Sequence, residues 1–166
     1  MMVEEAGFSD AEVARLMVLF GLGLAVGNWL GGRFADRSLF GTLFATLAAQ
    51  ALVLFVFWAG VGNAAVASVS VFLMAAFGFA TVSPIQKLVM ERASRAGAPT
   101  MAASVNIGMF NLGNAIGAWV GGATIAAGFG LASPNWAGGL LSLVALGLAA
   151  LARASAGREV PATPAE

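Results

Sequence analysis

The sequence predicts an all-α membrane protein with five transmembrane helices, and three observations carry that prediction. The 166 residues are 60% hydrophobic and only 10% charged, whereas a soluble domain averages about 25% charged residues. Uncharged stretches recur at roughly the 20 residues that span a bilayer's hydrocarbon core as a helix. Basic residues collect in alternate gaps between those stretches, as the positive-inside rule requires of a multi-pass protein. Cysteine and histidine are absent, so disulfides, thiol chemistry and histidine-based metal sites are excluded. No cofactor, metal or nucleic acid is expected.

Residues 1–9 form an acidic lead that lacks the basic n-region of a signal peptide. Ser9-Asp10-Ala11-Glu12 reads as a capping box, in which the serine serves a free amide and Glu12 reaches back. The first helix is therefore expected over about 10–31. Its Gly21, Gly23 and Gly27 are spaced like a dinucleotide-binding turn, but that turn needs a preceding strand. Here the glycines lie inside an uncharged run between residues 16 and 32. A second helix is expected over 39–59, with Gln50 its only strongly polar side chain. After the uncharged turn Gly60-Val61-Gly62-Asn63, a third is expected over 64–86, with Pro84 tightening its last turn. A charged loop over 87–99 leads to a long, glycine-rich fourth helix over 100–127. Ser133-Pro134 reads as the N-cap and first position of a fifth helix over 134–153. The bundle thus occupies 1–154, and a disordered cytoplasmic tail is expected over 155–166.

The charges orient the bundle. Arg33, Arg37, Lys87, Arg92, Arg95, Arg153 and Arg158 fall on one side, while the acidic lead and two uncharged turns fall on the other. This places the N-terminus outside and the C-terminus in the cytoplasm. Arg15 is the exception, and on a helix it shares a face with Leu22, Val26 and Trp29, so it is expected to snorkel to the outer interface.

Two stretches resemble a known family. Gly32-Arg33-Phe34-Ala35-Asp36-Arg37 resembles the G-x-L/F-A-D-R signature of the major facilitator superfamily. The preceding Gly27-Asn28-Trp29-Leu30-Gly31-Gly32 is similar to the form in its drug and sugar efflux branch, near the arabinose efflux permeases. The signature's basic tail is missing, since Leu39, Phe40 and Gly41 follow Ser38. The run from Phe110 to Gly122 is similar to the branch's eleventh helix, and Ala6-Gly7-Phe8-Ser9 resembles the outer loop before its eighth. The resemblance implies the eighth to twelfth helices of a carrier, a partial carboxy-terminal bundle in the inner (plasma) membrane. It also implies an amino-terminal transporter half as partner, a sugar or drug-like substrate, and proton-coupled efflux by alternating access. In such carriers the signature's aspartate, here Asp36, helps lock the cytoplasmic gate.

The residues leave several roles open. Asp36 is either a solvated loop carboxylate or a cap on the second helix, where the positive helix end favours an anion. Arg33 and Arg37 are its partners or simply set topology. Gly23, Gly27 and Gly31 step by four, as do Gly113, Gly117 and Gly121, and such ridges let membrane helices approach closely. Both ridges either pack inside the bundle or form a surface for further helices. Phe72, Phe79, Ser83, Gln86, Asn106, Asn111 and Asn114 are candidates for a substrate cavity, although intramembrane amides commonly bond neighbouring helices. No carboxylate or histidine lies in a helix core, so these helices carry no proton relay, and nothing resembles an enzyme site. The expected function is the carboxy-terminal portion of a secondary transporter that does not transport alone. The alternative is a non-transporting remnant or accessory bundle, and a homo-oligomeric channel lacks the polar stripe it needs.

Overall fold

The computed structural model describes residues 1–95 and 97–156, and these residues are helical apart from short connections. The elements are α1 (Asp10–Ala35), α2 (Leu39–Gly60), α3 (Ala64–Ala80), α4 (Val82–Arg95), α5 (Pro99–Ala126) and α6 (Ser133–Ala156). Four units are long and apolar enough to cross a membrane: α1, α2, the joined α3–α4 and α6. The remaining expected span, α5, has 28 residues, ample for a bilayer. Asn106, Asn111 and Asn114 lower its apolar character.

The expected capping box forms as drawn. The Ser9 side chain accepts from the Glu12 amide, and the Glu12 carboxylate accepts from the Ser9 amide at 2.8 Å. The residues before it are folded: Ala6 is buried, and Met1, Met2 and Phe8 pack with Phe57, Ala67 and Val71 across one end of the bundle. At the opposite end Leu43 and Leu47 of α2 pack on Ala149 of α6.

Four boundaries differ from the sequence expectation. α1 continues past residue 31 to Ala35, because Gly31 and Ala35 are buried against neighbouring helices, and packing offsets glycine's low helix propensity. The expected third helix breaks at Thr81. Pro84 has no N–H for the Ala80 carbonyl four residues back and crowds it, so the chain turns at Thr81 and restarts as α4. The stretch 87–95, expected as a loop, is the rest of that helix. Lys87, Glu91 and Arg95 alternate in sign at four-residue spacing, which supports an exposed helix face, and Ala93 is buried. α6 runs to Ala156 rather than 153, with Ser155 Oγ donating to the Leu151 carbonyl at 3.1 Å. The rest of the expected tail, including Arg158, lies outside the described residues. Ser133 does not serve as a free cap. Its hydroxyl donates to Gly130 O at 2.7 Å and meets Thr124 Oγ1 at 3.0 Å, pinning the turn before α6 to the end of α5.

α1 packs chiefly on α3, and α2 on α6 and α3, while α5 leans on α6 and α4. Large apolar side chains such as Met17, Val18 and Leu22 on α1 and Val144 and Leu148 on α6 point outward. In lipid that exposure carries little penalty, and tight packing of small residues takes over the work of holding helices together.

Candidate functional site

The family-like residues of α1 lie along one seam, and glycine explains how the seam closes. Ideal Cβ atoms on Gly23 and Gly31 would fall 2.5 Å from the carbonyl oxygens of Phe72 and Ala80, and one on Gly27 would overlap the Ala76 carbonyl. Two ladders with a step of four therefore face each other, glycines on α1 and backbone carbonyls on α3. Such an approach brings Cα–H groups onto carbonyl oxygens, a weak but recurring contact between membrane helices. The last rung is the Ala80 carbonyl, which Pro84 deprives of its helical donor.

Below the glycines the seam turns polar. Ser83 Oγ donates to Asn28 Oδ1 at 3.4 Å, and Gly32 faces Ser83, an ideal Cβ there lying 3.9 Å from the hydroxyl oxygen, at ordinary contact distance. Lys87 Nζ then lies 2.9 Å from Asp36 Oδ1. Asp36 stays solvated in the turn after α1 but does not cap the second helix. It closes α1, its own N–H bonding to Gly32 O and Phe34 O. Ser38 caps α2 instead, accepting from the Gly41 amide at 3.2 Å. Its cation is Lys87 on α4 rather than Arg33 or Arg37. Arg33 lies over the Trp29 ring, 6.0 Å from its centroid, and Arg37 is exposed in the α1–α2 turn. The ion pair is solvent-accessible on both sides, with side-chain exposures of 38% and 75%, so it adds at most about 1 kcal/mol to stability. Its value is positional, joining the α1 turn to α4.

Lys87 was legible as the chain's single lysine, one turn after Pro84. Its pairing with Asp36 depends on the helix that residues 87–95 form in place of the expected loop.

The two glycine ridges part company. On α5, positions 113 and 117 meet nothing within 4 Å, and only Gly121 is packed, 3.4 Å from Pro134 Cβ. The expected packing role of Gly113 and Gly117 therefore has no partner among the described residues. The physical reason is that α5 leans on α4 and α6 alone.

Between α1, α3, α4 and α5 lies a cavity of about 720 Å³, within the usual size range of small-molecule sites. Phe79, Gln86, Asn106 and Asn114 line it, whereas Phe72, Ser83 and Asn111 do not. Ser83 is turned into the seam, and Asn111 is exposed elsewhere on α5. Sequence reasoning did not single out Phe20, Met74, Ile85 or Phe110, which also line it, since apolar side chains on apolar helices carry no distinguishing signal. The Thr81 joint lies in the cavity wall too. Gln86 faces the cavity, and the next residue, Lys87, holds Asp36.

A multi-pass helical bundle with a drug-sized cavity beside a broken helix and a charged turn is consistent with a membrane carrier. The comparisons are specific. The chain is 42% identical over 134 residues to the inner membrane transport protein YdhP of Escherichia coli (strain K12), covering 81% of this chain and 34% of that one. It is 32% identical over 143 residues to the uncharacterized MFS-type transporter YtbD of Bacillus subtilis (strain 168), 85% of this chain and 36% of the relative. A chloramphenicol resistance protein of Streptomyces lividans is 35% identical over 150 residues, 88% of this chain and 37% of its own length. The chain belongs to the major facilitator superfamily. It spans about a third of the length of the curated relatives it matches. No family model and no solved structure matches it.

Proposed function

We propose that the chain is the carboxy-terminal portion of a secondary transporter that exports sugars or drug-like molecules by alternating access, coupled to protons. The observation that carries this reading is the junction at residues 86 and 87. Gln86 lines the cavity and Lys87 holds Asp36 in the turn after α1. A shift of α4 on occupancy of the cavity therefore bears directly on the ion pair, which is the coupling a carrier needs between site and gate. The proposed orientation has the N-terminus outside. The partner is an amino-terminal half that supplies both the opposing bundle and the titratable group, since the membrane-embedded parts of these helices hold no carboxylate.

The test is transport into vesicles under an imposed pH gradient, with chloramphenicol and L-arabinose as probes. The chain alone is expected to move neither. Co-expression with the amino-terminal portion of a full-length relative is expected to restore gradient-dependent movement of one of them. Asp36→Asn or Lys87→Ala is expected to lower the restored rate about tenfold, equivalent to roughly 1.4 kcal/mol, and exchanging the two charges should recover part of it. Saturable, gradient-driven transport by the chain alone overturns the reading in favour of a homo-oligomeric transporter.

A further inference from the structure

We propose that the cavity between α1, α3, α4 and α5 takes an uncharged, mostly apolar molecule carrying a few hydrogen-bonding groups, in preference to a sugar or an organic ion. The proposal rests on the transporter reading and names the substrate class that reading leaves open.

The wall itself makes the distinction. Large apolar side chains dominate it, with Phe20, Met74, Phe79, Ile85, Met109 and Phe110 supplied by four different helices. Three carboxamides, Gln86, Asn106 and Asn114, and the Thr81 hydroxyl provide its side-chain polarity. No charged side chain lines it among the described residues. The nearest cation in sequence, Lys87, is directed to Asp36.

Each ligand class meets this wall differently. An ion brought here loses hydration and finds no opposite charge, the circumstance in which burying charge is most costly. A sugar presents hydroxyls around its whole ring, and every one left without a partner costs about 1–3 kcal/mol. Four neutral polar groups among six large apolar ones cannot serve such a ring. A molecule with an aromatic or aliphatic body leaves those six side chains in contact with apolar surface. Carboxamides suit its few polar groups, because each offers both a donor and an acceptor without preferring a charge. The volume of about 720 Å³ accommodates a molecule of drug size.

The experiment is equilibrium binding of three radiolabelled probes to the chain in lipid nanodiscs, with empty nanodiscs as the blank. The probes are chloramphenicol, an uncharged aromatic amide; tetraphenylphosphonium, a lipophilic cation; and L-arabinose. Saturable binding is expected for chloramphenicol alone. Phe79→Ala should weaken it about tenfold. Asn114→Asp, on the cavity wall, should weaken chloramphenicol and create binding of the cation. Helix content measured by circular dichroism verifies that each variant is folded.

Saturable binding of arabinose or of the cation by the unaltered chain overturns the proposal. So does an absence of saturable binding by any probe. Chloramphenicol uptake that scales with lipid and ignores both substitutions is partition into the bilayer and overturns it as well. Failure of the transporter reading looks different, since it leaves chloramphenicol binding intact with no gradient-driven movement in the complemented vesicles.

Discussion

The Oε1 of Gln50 is buried with no hydrogen-bond partner among the described residues. Its amide lies against Gly78 of α3, whose ideal Cβ would be 3.7 Å from Nε2 and 3.9 Å from Oε1. A buried acceptor left unpaired costs about 1–3 kcal/mol, whereas an apolar group of similar shape carries no such penalty. Gln50→Leu is therefore expected to raise the thermal unfolding midpoint in detergent micelles. A lower midpoint would mean that the amide has a partner when the protein is in its membrane, contributed by water, lipid or another chain. Asp36 teaches a related lesson at the same scale. Its identity as an ion-pair member was legible in the sequence, but its partner was not. Only the α3–α4 joint brings position 87 back to position 36.

Helix pairing explains why two glycine ridges of the same spacing behave differently. On α1, Gly27 is buried on the Ala76 backbone, and a methyl group there collides with a carbonyl rather than with a movable side chain. Gly27→Ala is expected to cost about 1–3 kcal/mol, the range for overpacking a well-filled contact. Gly117→Ala on α5 meets open space and should raise stability by up to about 1 kcal/mol through helix propensity. Chemical unfolding of the two variants in the same detergent separates them, and equal effects would show that α5 packs on something within the chain. The sequence shows both ridges plainly, because a step of four is a local pattern. It does not show which ridge has a neighbour, because that depends on where distant helices lie. Element boundaries follow the same division. The capping box at Ser9 and the uncharged turn ending at Asn63 were legible because their determinants lie within a few residues. The helix over 82–95 was not, since its charged residues resemble a loop until their four-residue spacing is weighed with the burial of Ala93. The seam of the candidate site was half legible: the α1 residues carry the family pattern, while Ser83 and Lys87 enter only through packing.

For the whole molecule, orientation is the property that charge should decide. The two ends are now defined by contact. Met1 and Met2 of the lead and Val61 of the α2–α3 turn pack on the same buried cluster around Phe57, and Met1 Sδ accepts from Asn135 Nδ2 of α6 at 3.4 Å. These segments share one end, together with the start of α1 and its acidic Asp10 and Glu12. The Asp36–Lys87 pair marks the other end, as does Arg153, whose guanidinium lies 5.7 Å from the Phe44 ring centroid. Arg33, Arg37, Arg92 and Arg95 belong to that second end by sequence. Among the described basic residues only Arg15 lies toward the first end, and it is exposed on the same face of α1 as Leu22 and Trp29, where a long side chain can run to the interface. Acidic residues contribute little to topology and basic residues near helix ends dominate it. The second end is therefore expected in the cytoplasm. The chain has no cysteine, so single cysteines report without background. Gly62→Cys and Ala127→Cys, both at exposed turn positions, should react in intact cells with a membrane-impermeant thiol reagent. Ser94→Cys, exposed near the end of α4, should react only after the membrane is opened. Labelling of Ser94→Cys in intact cells, with Gly62→Cys protected, would invert the orientation and place the Asp36–Lys87 seam on the outer face, where it could not serve as a cytoplasmic gate.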